Sequence, residues 1–300
     1  MDIVTVLIYD SPEYTSIPLA TRANWIRTLY PTVNVIEAVD GPTEVGDSPE
    51  IRQRHEDYVI HRLGITGITH FYSSEFYGEH MAQALGAINR IVDPDRVSID
   101  VSGTRIRSDP FAYRTYVEDL VYRDLITNVV FLGAPSTGKT TIAARLAEEY
   151  DTVWMPEYGR EYWELHQSNR RLSLEQLEEI AIEHLRREEQ LLLNARRYMF
   201  TDTNAITTYL FSLKYHQKAT DGLIRLARQA ARRYDLVIVC DTDIPYDNTW
   251  DRSGDFDREQ FQDRTIEDLT NRKVLFSTVS GGLDDRVKQV IEILRGYPSK

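Results

Sequence analysis

One cysteine, Cys240, is the only thiol in the chain, which excludes an internal disulfide framework and any cysteine-built metal site. Long apolar runs are missing as well. None approaches the roughly 18 residues of a membrane span. The opening DIVTVLIYD is short and flanked by acids, so it reads as neither a signal peptide nor an anchor. Positive charge is scarce: 35 Lys and Arg face 47 Asp and Glu, a net charge of −12. A nucleic-acid binder carries a basic face, so no nucleic-acid partner is expected. Internal repeats and low-complexity segments are absent. What remains is globular. The chain has 300 residues, 42% hydrophobic and 27% charged, enough for two domains of ordinary size. A cytoplasmic protein without membrane attachment is the expectation, and a homo-oligomer is compatible with it.

The most informative stretch is NVVFLGAPSTGKTTIAARLAEEY. Val129 to Leu132 form a short apolar run, the pattern of a buried parallel strand. Gly133, Ala134, Pro135, Ser136, Thr137, Gly138, Lys139 and Thr140 then spell G-x-x-x-x-G-K-T, the P-loop. Ile142, Ala143, Leu146 and Ala147 follow at helical spacing. Gly133 and Gly138 let the backbone wrap phosphates without Cβ clashes. The N–H groups of the loop from Ser136 and Thr137 to Thr141, and the helix N-terminus, point positive dipoles at an anion. Lys139 is placed to reach the β- and γ-phosphates, and the Thr140 hydroxyl to ligate Mg²⁺. ATP and Mg²⁺ are the expected cofactors.

Downstream, strands and helices alternate, as in a doubly wound α/β kinase with its site at the C-terminal strand ends. TVWM (residues 152–155) reads as a strand that places Glu157 just beyond its end. LSLEQLEEIAIEHLRREEQLLLNA reads as a long helix capped by Ser173 and Gln176. RRYMFTDT is a strand ending in Asp202, YDLVIVCDTD one ending in Asp241 and Asp243, and RKVLFSTVS the last, before a closing helix. Asp202, after an apolar strand, has the setting of an acid that holds Mg²⁺. Glu157 stands on the acceptor side, where a carboxylate can take a proton from a hydroxyl. For each, the alternative is a solvated strand-end acid or a helix N-cap, and the convergence of several acids on one site favours the functional reading. Asn204 adds an amide but no charge, which leaves the metal binding to Asp202. Between the last two strands, DTDIPYDNTWDRSGDFDREQFQDR carries Gly254, Arg252, Arg258 and Arg264. It fits a lid whose arginines neutralise transferring charge, or a surface helix laced by alternating Asp and Arg. Trp250 in it fits half-buried packing or a stack on an aromatic ring.

The first 120 residues also alternate. DIVTVLIYD, VNVIEAVD, THFYSSEFY and NRIVDPD read as strands, and SIPLATRANWIRTLYP, IRQRHEDYVIHRLG and EHMAQALG as helices, a second doubly wound unit. VSGTRIRSDPFAYRTYV follows. In it Ser102, Thr104, Arg105 and Arg107 bring hydroxyls, guanidinium groups and a helix start together, the makings of a triphosphate site or of ordinary surface ion pairs.

These last residues carry a resemblance. SGTRIRSDPFAYRTYV is similar to the S-[GA]-T-x-I-R region of nicotinamide-nucleotide adenylyltransferases. With the P-loop strand following closely, the chain resembles the NadR-type bifunctional proteins, which join such a domain to a ribosylnicotinamide kinase. EYGRE, FTDTNAITT and NTWDRSGDFDREQF are similar to segments of that kinase half, the last looking shorter than the family's lid. The resemblance implies two doubly wound parallel-sheet domains: residues 1–122 nucleotidyltransferase-like and 123–300 a P-loop kinase. It implies nicotinamide riboside or its mononucleotide as the ligand beside ATP. Glu157, Tyr158, Arg160, Trp250 and Asp251 would contact the substrate, Arg252 or Arg258 would act from the lid, and Ser102, Thr104, Arg105 and Arg107 would hold phosphates in the first half.

The resemblance also exposes a gap. Adenylyltransferases of this kind open with a strand and a loop of type G-x-[FY]-x-P-x-H-x-G-H. None of the seven histidines here, His55, His61, His70, His80, His166, His184 and His216, stands in such a motif. The family's helix-turn-helix is not seen either. The leading expectation is therefore a kinase making nicotinamide mononucleotide, with little or no adenylyl transfer by these 300 residues. The others are a bifunctional enzyme whose start lies upstream, and a nucleotide-sensing regulator.

Overall fold

The structure, a computed structural model, describes residues 3–44, 46–74, 78–168, 171–245 and 257–298. The chain divides into two compact units, Met1–Asp109 and Pro110–Lys300. The division falls before the boundary at 122/123 that the sequence suggests. The reason is packing: Phe111 and Val117 lie against Tyr122, Ile126 and Met155 in a core of the second unit.

In the first unit β1 (Thr5–Tyr9), α1 (Leu19–Leu29) and β2 (Asn34–Ala38) form one strand–helix–strand segment. α2 (Pro49–Asp57), capped by Ser48, runs on into a π-helical turn, Tyr58–Arg62. β3 (His70–Ser73), α3 (Gly78–Ala84) and β4 (Ile88–Ile91) form a second such segment, and α4 (Gly103–Ser108) closes the unit. The strands fall where the alternation of the sequence puts them, but among the described residues they do not join into the one doubly wound sheet expected from them. Among the described residues β1 pairs with β2 and β3 with β4, each in parallel, as two separate two-stranded sheets. Each pair closes locally across one helix, and a small shared core lies between them: Ala38, Tyr58, Val59 and Met81, with Leu7, Tyr9 and Phe71 around it. Parallel strands are ordinarily covered on both faces. Here Tyr72 and Ile88 are 66% and 53% exposed.

The second unit is the better packed. α5 (Asp119–Leu125) leads into β5 (Thr127–Leu132), all six of whose residues are buried. α6 (Lys139–Glu149), β6 (Trp154–Met155), α7 (Tyr158–His166), α8 (Leu174–Leu192) and β7 (Tyr198–Asp202) follow. Then come α9 (Ala205–His216), α10 (Asp221–Ala230), β8 (Leu236–Cys240), α11 (Arg258–Asn271), β9 (Ser277–Val279) and α12 (Leu283–Gly296). The five strands form one parallel sheet in the order β6-β7-β5-β8-β9. Apolar strands with helices on both faces give two cores, one per face. Val129, Phe131, Ile142, Leu146 and Val290 fill one, and Val130, Leu132, Leu210, Phe261 and Leu269 the other. α8 starts with the expected capping box: Ser173 accepts from the Gln176 N–H while Gln176 accepts from that of Ser173. β6 and β9 are shorter than the sequence suggests. The apolar VLF before β9 does not pair, and Leu275 is 92% exposed.

Candidate active site

β5 and β7 are neighbours in register, with Phe131 opposite Asp202, so the P-loop and the end of β7 emerge side by side. The loop is bent as its glycines require. Gly133 has φ +131° and a Cβ there would meet the Cys240 carbonyl at 2.6 Å, so only glycine fits. Gly138 has φ +80° at the N-terminus of α6. Thr137 Oγ1 donates to the Ala134 carbonyl at 2.8 Å. Lys139, 8% exposed, lies inside the loop, its Nζ donating to the carbonyls of Gly133 (3.1 Å) and Ala134 (2.8 Å).

Two residues that the sequence does not single out brace this loop. Gln262 of α11 accepts from the Ala134 N–H at 2.8 Å and donates to the Cys240 carbonyl at 3.1 Å. Arg286 of α12 is 1% exposed. It donates to the carbonyls of Gly281 (2.7 Å), Thr137 (2.8 Å) and Asp241 (3.2 Å), and it pairs with Asp243. Asp243 is thereby committed to structure and does not join the acids that face phosphate. Neither brace sits in a recognisable motif; each acts on a loop far away in sequence.

Asp202 is fully buried, which removes the solvated-acid account of it. Its Oδ2 accepts from Thr140 Oγ1 at 2.5 Å, and its Oδ1 is buried with no hydrogen-bond partner among the described residues. Burial, and next the negative charge of Glu157, push its pKa up to about 6. A carboxylate with a bare oxygen, next to a P-loop threonine, fits a small hard cation that takes its remaining ligands from phosphate and water. Thr140 and Asp202 would hold such an ion. Among the described residues no group of three or more His, Cys, Asp and Glu side chains could hold a metal alone.

Glu157 stands at the N-cap position of α7, yet its side chain makes no cap hydrogen bond. It lines the same cavity as the P-loop, about 600 Å³ in volume, and so does Arg160. Tyr158 turns away: its ring lies under Arg187 (4.1 Å to the guanidinium carbon) and packs edge-on to Tyr162. The cavity walls also include Trp163, His184 and a face of α9. Trp250, Asp251 and Arg252 lie outside the described residues. Arg258, the first residue of α11, donates to the carbonyls of Thr242 (2.7 Å) and Ile244 (2.8 Å), which holds it against the segment that follows β8.

In the first unit Ser102 caps α4, accepting from the Arg105 N–H at 3.1 Å. Arg105 pairs with Asp100 at 2.7 Å, and Arg107 lies over the Tyr14 ring and reaches Thr104 Oγ1 at 3.5 Å. These side chains engage their own neighbours, Ser102 half-buried and Thr104, Arg105 and Arg107 exposed.

Residues 128–286 match the family model described as "AAA domain". The trifunctional NAD biosynthesis/regulator protein NadR of Escherichia coli K12 is 30% identical over 224 residues, which cover 73% of this chain and 53% of that protein. NadR of Salmonella typhimurium LT2 is 28% identical over 230 residues, covering 75% of this chain and 56% of that protein. The chain thus spans a little over half the length of these relatives. A crystal structure of a NadR protein in complex with NAD and AMP-PNP has the same fold over 98% of this chain and 87% of that one, with a TM-score of 0.60 at 20% identity. Another, of NadR with NR, gives 0.60 at 21%. The chain belongs to the AAA domain family and is a homologue of NadR.

Proposed function

We propose that the P-loop cavity transfers the γ-phosphoryl group of ATP to the primary hydroxyl of nicotinamide riboside, giving nicotinamide mononucleotide and ADP. The observation that carries this reading is that Glu157 lines the P-loop cavity while lying near enough to the buried Asp202 for its charge to raise that carboxyl's pKa. NAD biosynthesis is the named role of the relatives, and NR is bound in one of the similar structures.

Each residue then has a task. The loop N–H groups and Lys139 hold the β- and γ-phosphates. Glu157, on the cavity wall, accepts the proton of the attacking hydroxyl. The hydroxyl oxygen forms the new bond to γ-phosphorus as the bond to the bridging oxygen of ADP breaks. Arg160, on the same wall, offsets negative charge near Glu157 and Asp202. Thr140 and Asp202 are the residues that would hold Mg²⁺, which would offset the negative charge of the triphosphate. Gln262 and Arg286 keep the loop preorganised, the condition for strong electrostatic stabilisation. The finer choice of nicotinamide riboside over other ribosides rests on the relatives' names. The test is product identity: γ-labelled ATP and a panel of ribosides are supplied, and label is sought in each mononucleotide. Label in nicotinamide mononucleotide is expected. Label in other mononucleotides alone would overturn the choice of substrate.

A further inference from the structure

The backbone turns sharply at Thr203, φ +65°, an uncommon conformation for a β-branched residue, and so sets Asn204 at the head of α9. Asn204 is 3% exposed and lines the cavity. Its Oδ1 caps the helix, accepting from the Ile206 N–H at 2.9 Å, which fixes the amide orientation. Its Nδ2 is then directed away from the helix, and it is buried with no hydrogen-bond partner among the described residues. Native structures rarely leave a buried N–H unpaired.

The sheet order says which ligand the donor faces. Asn204 follows β7, which lies between β6, the strand before Glu157, and β5, the strand before the P-loop. β8 is on the other side of β5. Asn204 is thus on the acceptor side of the phosphates. Along α9 the cavity wall continues with Thr207, Thr208, Phe211 and Tyr215. Its polar end is near the reacting groups, and its aromatic end lies two to three turns out. A sugar followed by a flat ring matches that order. Anionic oxygens already have the loop and Lys139, so a lone neutral amide donor suits an uncharged acceptor.

We propose that the Nδ2 of Asn204 donates to a hydroxyl oxygen of the ribose, 2′ or 3′, and makes the site select ribosides over deoxyribosides. This rests on the acceptor being a riboside, as proposed above. The test compares kcat/KM for nicotinamide riboside and its 2′-deoxy and 3′-deoxy analogues, in the wild type, Asn204→Ser and Asn204→Gly. Serine keeps a helix cap, glycine weakens it only slightly, and both withdraw the amide N–H. The wild type is expected to disfavour at least one deoxy analogue about tenfold or more, the worth of one hydrogen bond near 1.4 kcal/mol. In both variants that preference should fall to near one, because the riboside alone loses, while the KM for ATP stays put. Variants that keep the wild-type preference, or that lose equally on all three substrates, would overturn the proposal. A wild type with no turnover of any riboside would instead mean that the acceptor reading has failed, and this proposal with it.

Discussion

Thr140 Oγ1 donates to Asp202 Oδ2 at 2.5 Å, joining the first turn of α6 to the end of the neighbouring strand β7. The other oxygen of Asp202 is left bare. Asp202→Asn keeps the shape and removes the charge, so a cation held there loses its one protein carboxylate. The Mg²⁺ concentration that gives half-maximal turnover should rise by about tenfold or more. A titration of rate against Mg²⁺ measures this; an unchanged midpoint would remove Asp202 from the metal site.

Glu157 should behave differently. Glu157→Gln removes a proton acceptor without touching the phosphate loop. A loss of about 10²-fold in kcat, with little change in the Mg²⁺ midpoint, is expected for a general base. Equal midpoint shifts in Glu157→Gln and Asp202→Asn would mean that the two acids do not divide base and metal between them.

Arg286 ties the P-loop carbonyl of Thr137 to Gly281, Asp241 and Asp243. A lysine cannot reproduce that fork of donors. Arg286→Lys should cost about 2–3 kcal/mol of stability through lost charged hydrogen bonds, read from urea unfolding. The KM for ATP should rise as well. A variant as stable as the wild type would show that the brace is dispensable.

His184 gives a pH dependence. Burial, and next the charge of Arg233, lower its pKa from the ordinary 6.5 to about 4, so it is neutral when folded. The unfolded chain binds the proton first. The stability tied to a neutral His184 is therefore complete above pH 6.5 and is lost as the pH falls from there towards 4, at up to about 1.4 kcal/mol per pH unit. Unfolding free energies between pH 7 and pH 4 should fall less steeply in His184→Gln than in the wild type. Parallel curves would place the proton uptake elsewhere.

What the sequence made legible was local. The spacing of Gly133, Gly138, Lys139 and Thr140 fixes a loop and its chemistry within eight residues, and an apolar strand ending in Asp202 announces an acid beside it. The braces could not be read in this way. Arg286 reaches Thr137 across 149 residues and Gln262 reaches Ala134 across 128, partners that only the folded sheet brings together. Asn204 was visible as an amide among acids, but the direction of its Nδ2 depends on the cap bond to Ile206. In the first unit the alternation of elements was correct and the pairing was not. Alternation fixes which residues are strands, whereas the joining of two pairs into one sheet depends on edges that the pattern does not encode.

The central claim is that the P-loop cavity phosphorylates a riboside. The most direct measurement is ADP formation from ATP by the purified chain, with and without nicotinamide riboside, in the wild type and in Lys139→Ala. The account predicts riboside-dependent ADP release in the wild type, with one mononucleotide made per ADP, and a fall of about 10²-fold or more in the variant, the scale of losing one preorganised charge at the phosphates. ADP release indifferent to the riboside, or undiminished in Lys139→Ala, would contradict it.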